Sequence, residues 1–100
     1  MSQEKVKVVE VEQTCGGWPA QWEGRTDDGR WIYARYRHGC LGIGVGATLD
    51  EAVVASFSDD ALVSKQIGER LDGEMSWAEL RHLTAGVIEW PDREPSWYGY

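Results

Sequence analysis

Four side chains of the kind that bind zinc are spread along the chain: Cys15, His38, Cys40 and His82. Structural zinc sites hold such ligands in pairs separated by about two to four residues. Only His38 and Cys40 lie close together, and a single residue separates them. The spacing therefore predicts no metal site and no cofactor. A small metal-dependent protein or enzyme that uses Cys15, His38 and Cys40 is kept as an alternative.

Paired acidic residues are the second candidate for chemistry. They occur at Asp27-Asp28, at Asp59-Asp60 and in segment 69–74. Aspartate favours turns for reasons of backbone hydrogen bonding, and the sequence pairs none of these acids with a base across a defined cleft. The chain also lacks a Gly-x-Ser-x-Gly motif, and its glycine run 42–46 lacks the Lys-Ser/Thr ending of a phosphate-binding loop. These patterns predict a protein that is not an enzyme.

Aromatic and basic residues share one face of two predicted neighbouring strands, and this face is the strongest candidate for a binding surface. Tryptophan, tyrosine and arginine dominate the energetics of protein interfaces. A structural interpretation stays open as well, in which glycines let these side chains lie flat over the next strand, or a helix covers the face. The second candidate surface is acidic and comprises Glu69, Asp72 and Glu74. The candidate binding residues of the first face are Arg25, Trp31, Tyr33, Arg35 and Arg37.

These residues are positioned by a predicted three-stranded antiparallel meander over residues 18–47. A three-residue loop at 27–29, with Gly29 in a left-handed conformation, pairs Gly24 with Ile32 and keeps one face apolar. A turn at His38-Gly39 then pairs Ile32 with Val45 and places Gly42, Gly44 and Gly46 opposite Arg35, Tyr33 and Trp31. The meander is thus expected to have one apolar inner face and one aromatic, basic and glycine-rich face.

The flanking segments predict the remaining elements. Residues 4–13 form a strand whose irregular valine spacing indicates either a bulge near Val8-Val9 or burial on both faces. Capping boxes that begin at Thr48 and Ser76 predict helices near 48–57 and 76–85, the second ending at a left-handed Gly86. Phe57 is expected on the inner side of the first helix. Residues 61–67 fit either a strand or a helix, and the strand is favoured; Val87-Ile88 is expected to be a small strand.

Together these elements predict an α+β fold in one domain, residues 1–100. An antiparallel sheet of four to five strands carries both short helices on a single face. That face is the inner one, which is formed by Ile32, Ala34, Ile43 and Val45.

Charge and composition narrow the possible partners. The net charge is -7, and residues 48–100 carry eleven acids against four bases. An acidic field repels phosphates, so nucleic acid is not an expected partner. There is no apolar run of about 20 residues and no apolar signal segment, so the expected compartment is the cytoplasm, without a membrane. Cys15 and Cys40 are therefore expected as reduced thiols, although a disulfide between them stays geometrically possible.

Several strings give the chain a family resemblance. The strings QWEGR, DGR, YARYR, GCL, DGEMSWAEL and IEWP, which lie between Trp18 and Pro91, resemble a group of short proteins encoded by bacterial phages, by mobile elements and by their hosts. The resemblance implies a small protein from a setting in which inhibitors of host defence, such as anti-CRISPR proteins, are common. It implies no catalytic residue.

The functional prediction follows from these observations. We expect a small acidic protein-binding module that has no enzymatic activity and that inhibits a host or phage machine by occlusion. A homodimer formed through a free edge of the sheet is a further alternative.

Overall fold

Six strands and two helices make up the fold in a computed structural model that describes residues 5–16, 20–59, 61–68 and 75–92. The strands lie in one sheet in the order β5-β4-β3-β2-β1-β6. In chain order the elements are β1 (Val6–Gly16), β2 (Ala20–Thr26), β3 (Trp31–Arg37), β4 (Cys40–Gly46), α1 (Leu49–Ser56), β5 (Val63–Gln66), α2 (Trp77–Thr84) and β6 (Ile88–Glu89).

The register of the meander is the predicted one. Ile32 lies opposite Gly24 on β2 and opposite Val45 on β4. Gly29 has a φ of 83°, as the three-residue loop requires, and His38 and Gly39 both have positive φ in the turn between β3 and β4. The predictions of loop length and of strand register are therefore confirmed.

The loop between β2 and β3 is held by a small polar network. The Arg30 guanidinium donates to both oxygens of the Asp28 carboxylate, at 3.1 and 2.9 Å, and the Thr26 hydroxyl also donates to this carboxylate. The same hydroxyl accepts from the backbone N–H of Arg30 at 3.0 Å. First the hydrogen bond from Arg30, and then that from Thr26, lowers the pKa of Asp28 to about 2.

Asp28 should make stability depend on pH in a defined window. Because its folded pKa lies below the unfolded value, the carboxylate stabilises the fold above about pH 4, and this contribution is lost as the pH falls toward 2. We expect the stability difference between wild type and Asp28→Asn to shrink over this range when urea denaturation is repeated at several pH values. Asp27→Asn, at the neighbouring exposed position, is the control. A difference that does not change with pH would contradict the assignment.

Strand β1 contains the predicted bulge. Its pairing with β2 shifts between Val8 and Glu10, and Val8 is buried whereas Val9 is 48% exposed. The bulge, and not burial on both faces, therefore accounts for the irregular valine spacing. A second irregularity lies between Gln13 and Cys15.

The sheet has more strands than the predicted four to five. Residues 63–66 form an edge strand, as expected, whereas β6 adds a sixth strand that pairs in parallel with β1 through Val6 and Ile88. The sheet is therefore mixed rather than wholly antiparallel. The predicted homodimer would use one of the two edges of the sheet, β5 or β6, and on β5 the exposed Lys65 discourages such pairing.

The inner face of the sheet carries the main core. Trp22, Ile32, Tyr36, Leu41 and Ile43 are all almost fully buried there. Trp77 and Leu80 of α2 belong to the same buried cluster. The prediction that the second helix packs on the apolar face is thus confirmed.

The first helix packs on the opposite face, and the prediction that both helices share one face is wrong. A side chain added at Gly42 would lie 2.8 Å from the carbonyl oxygen of Ser56, and one added at Gly46 would lie 2.6 Å from Cβ of Glu51. Helix α1 therefore lies directly on the glycines of β4. Its closeness depends on the absence of side chains at these positions.

Both helices begin at the predicted capping residues, but the capping box predicted at Thr48 is incomplete, because the Glu51 carboxylate accepts from the Thr48 hydroxyl and not from its backbone N–H. The Thr48 hydroxyl accepts from the backbone N–H of Glu51 at 3.2 Å, and Ser76 forms a complete capping box with Glu79. The end of α2 differs from the prediction, because Ala85 caps it in a right-handed conformation and Gly86 does not adopt positive φ. No helix in the described ranges is long and apolar enough to cross a membrane.

Candidate binding surface at the end of helix α1

Helix α1 divides the aromatic and basic face that the sequence singled out. Tyr33 lies opposite Gly44, the glycine on which the helix rests, and is only 5% exposed. Burial is the main cause that raises the pKa of its hydroxyl. Tyr33 is thus a packing residue of the sheet, and it offers no surface to a partner. For this residue the structural interpretation is correct.

Trp31 and Arg25 pair with each other at the far end of the face. The Arg25 guanidinium lies over the Trp31 ring, 4.6 Å from its centroid, and donates to the carbonyl oxygen of Gly29 at 3.2 Å. Both side chains are half-buried. They stabilise the end of the β2–β3 hairpin and are separated from Arg35 and Arg37 by the buried Tyr33.

A pair of acids lies on β1 and β2 of the same face. Glu12 and Glu23 are direct neighbours across the two strands. Burial, and after it the charge of Glu12, raises the pKa of Glu23. Like charges on adjacent strands destabilise each other, so this part of the face is no ready site for an anion.

A groove opens where the β3–β4 turn meets the end of α1 and the edge strand β5. Its volume is about 300 Å³. Three of the described residues that line it carry basic side chains, and none of these lining residues carries an acid. The groove is lined by Arg35, Arg37, His38, Cys40, Gly42, Ser56, Phe57 and Ser64.

Phe57 forms the apolar wall of this groove. It caps the C-terminus of α1 and is 63% exposed, and the Arg35 guanidinium lies 5.0 Å from the centroid of its ring. Val54, one turn earlier on the same side of the helix, is 68% exposed. The sequence prediction placed Phe57 inside, and that prediction is wrong. Phe57 follows the last helical residue, Ser56, so the helical spacing did not determine its direction.

The arginines of the groove are not used for internal ion pairs. Within the described ranges, the ion pairs join Lys7 to Glu89, Arg30 to Asp28 and Arg81 to Asp92, and neither Arg35 nor Arg37 takes part. Nε of Arg35 is buried without a hydrogen-bond partner in this part of the chain. Among the described residues, no acid therefore neutralises either guanidinium group at the groove.

No known protein family, curated protein or solved structure matches this chain. The resemblance to proteins of phages and mobile elements therefore stays a prediction.

The predicted cysteine and histidine set is split by the fold. Cys15 is on β1 and Cys40 is on β4, so three strand spacings separate them, on the order of 14 Å. Cys15 cannot share a metal ion with His38 and Cys40, and a disulfide between the two cysteines is excluded because its Cα atoms must lie within about 7 Å. Neither cysteine forms a disulfide. The described residues contain no cluster of three or more metal-binding side chains.

Glu69, Asp72 and Glu74 fall outside the described residues. The geometry of the candidate site therefore concerns only the basic groove, to which Arg35 and Arg37 contribute and from which Trp31 and Arg25 are separated.

Proposed function

We propose that this protein is a protein-binding module without enzymatic activity, and that it binds through the α1-end surface, defined as Val54, Phe57, Arg35 and Arg37. The observation that carries the proposal is the exposure of Phe57 beside Arg35 at the rim of the groove. When a partner buries a large exposed apolar ring of this kind, the burial contributes about 2 kcal/mol to the free energy of binding.

The residue types of this surface support the same conclusion. Interfaces concentrate their energy in aromatic and arginine side chains that become fully desolvated at the centre of the contact. Arg35 is half-buried and already stacked on Phe57, so little conformational entropy is lost when a partner covers the pair. The α1-end surface is therefore preorganised for binding.

Occlusion is the mode of action that such a module would use. Covering a functional surface of the partner requires only a rigid contact and no chemistry from the bound protein. Helix α1 provides that rigidity because its backbone rests on the glycines of β4. The resemblance to phage and mobile-element proteins makes a defence machine of the host a reasonable partner to test first.

Capture from a lysate of the native host tests the proposal. We expect a tagged wild-type chain to retain a partner, and Phe57→Ser to retain about tenfold less, because truncating an interface hot spot costs at least 1–2 kcal/mol. Val9→Ser is the matched control, since Val9 is also exposed and apolar but lies on β1. Both variants are first checked for an unchanged thermal transition. Equal capture by Phe57→Ser and wild type would remove the basis of the proposal.

A further inference from the structure

We infer that the groove receives a carboxylate carried by an otherwise largely apolar segment of the partner protein. This inference rests on the proposed function, because it names the chemistry of the partner at the same surface. The charges of the groove, the spacing of its two arginines and its apolar wall support the inference.

The two arginines are spaced to hold one anionic group. Arg35 and Arg37 are two residues apart on the same face of β3, about 7 Å along the strand. Guanidinium groups bind carboxylates in a planar, often bidentate geometry that is stronger than a neutral hydrogen bond. Both arginines lack an internal acidic partner in the described ranges. A carboxylate bound between Arg35 and Arg37 would supply the missing acidic partner.

The net charge of the chain argues against a polyanion. A charge of -7 repels nucleic acid and highly acidic proteins at long range. Screening limits the influence of a charge to about 8 Å at physiological ionic strength. The positive potential of the arginines therefore dominates only inside the groove. This combination favours a single carboxylate on a neutral segment over a chain of phosphates.

The apolar wall determines what surrounds that carboxylate. Phe57 and Val54 are exposed on one side of α1, next to the groove, so an apolar side chain of the partner would pack on them. The last turn of α1 carries no basic residue, and its carbonyl groups disfavour an anion. The carboxylate is therefore expected on the β3 side, between Arg35 and Arg37, with its apolar neighbour on the helix side.

Selection from a displayed library of random dodecapeptides, against the immobilised protein, tests the inference. We expect the selected peptides to carry Asp or Glu next to an aliphatic or aromatic residue. Their affinity should fall about tenfold for Arg37→Gln, since a charge-assisted hydrogen bond is lost, and should weaken with added salt. Arg81→Gln is the matched control, because Arg81 is also exposed but lies on α2.

The possible outcomes separate the inference from the proposed function. Selected peptides without an acid, an absence of selected peptides, or equal binding by Arg37→Gln would each overturn the inference. Tighter binding of a single-stranded oligonucleotide than of the selected peptides would overturn it too. If capture from the lysate depends on Phe57 but is unaffected by Arg37→Gln, the binding function stands and the acidic partner is wrong. Capture that is unchanged by Phe57→Ser refutes the proposed binding function itself.

Discussion

Gly44→Ala is expected to displace helix α1 and to lower the free energy of unfolding by about 3 kcal/mol, the upper range for overpacking a core. A methyl group at this position would lie 2.8 Å from the carbonyl carbon of Ala55, and closer still to the carbonyl oxygen of Ala52 and the backbone nitrogen of Ser56. All three are backbone atoms of the helix. No side-chain rotation can relieve such a clash, so the whole helix must move.

Gly86→Ala is the matched control for this substitution. Gly86 has no neighbouring atom within 4 Å of the added methyl group and does not adopt positive φ. Alanine there should leave stability unchanged or raise it by about 0.5 kcal/mol, because the unfolded chain loses conformational freedom. Urea denaturation of both variants measures the difference. A Gly44→Ala protein with the midpoint of the wild type would show that α1 does not depend on this contact.

The same contact couples stability to the proposed binding surface. Helix α1 ends at Ser56, and its capping residue Phe57 forms the wall of the groove. Displacing the helix would therefore move Phe57 away from Arg35. A glycine on β4 thus helps to set the geometry of a surface formed by other elements.

The meander was predictable because its constraints are local. Loop length, the φ requirement of Gly29 and the alternation of apolar residues all point to one register, since a slip by one residue would turn the apolar side chains to the wrong face. The helix starts at Thr48 and Ser76 were predictable for the same reason. Each depends on residues three positions apart.

The face chosen by α1 was not predictable from the same pattern. Glycines opposite Trp31, Tyr33 and Arg35 suit two arrangements, one in which the large side chains cover the glycines and one in which a helix does. Sequence alternation identifies the small residues but not the distance at which a backbone approaches them. That distance is fixed by tertiary packing, which places α1 against Gly44.

The parallel pairing of β6 with β1 was not predictable, for a different reason. It consists of Ile88–Glu89 alone, and its partner β1 lies at the other end of the sequence. The apolar pair Val87-Ile88 indicates a small strand, but nothing local reports which edge of the sheet that strand joins.

The candidate site was predicted in part. Arg35 and Arg37 remain at the groove, and His38 and Cys40, first considered as metal ligands, also line it. Tyr33 is buried and is therefore no candidate for binding a partner. Phe57 was assigned to the wrong side because helical spacing was extended one residue past the end of the helix. The acidic run after it, Ser58-Asp59-Asp60, marks where the helix stops and could have located Phe57 at the exposed end.

A buried hydroxyl at the end of α2, that of Thr84, makes two hydrogen bonds. The Thr84 hydroxyl accepts from the Trp90 indole N–H at 2.7 Å and donates to the carbonyl oxygen of Leu80 at 2.6 Å. Both Thr84 and Trp90 are buried, and the Trp90 ring meets Trp77 edge-on at 5.5 Å between centroids. This bond ties the chain that leaves β6 back to the helix before it.

Thr84→Val should lower the free energy of unfolding by about 2 kcal/mol. Valine keeps the shape of threonine but leaves the Trp90 N–H buried without an acceptor, and an unsatisfied buried donor costs about 1–3 kcal/mol. Thr84→Ser is the control, because it keeps the hydroxyl and loses only a methyl group. Urea denaturation should therefore place Thr84→Ser closer to the wild type than Thr84→Val.

Hydrogen exchange distinguishes a local from a global effect of this substitution. The backbone N–H of Val6 donates to the carbonyl oxygen of Val87 at 3.0 Å, next to the pairing of β1 with β6. If Thr84 holds β6 in place through Trp90, Thr84→Val should accelerate exchange at Val6 more than at Ile32 in the centre of the sheet. Equal acceleration at both amides would mean that the hydroxyl stabilises the fold as a whole and does not specifically hold β6. Because β6 is short and gains few contacts of its own, we expect the Val6 amide to respond first.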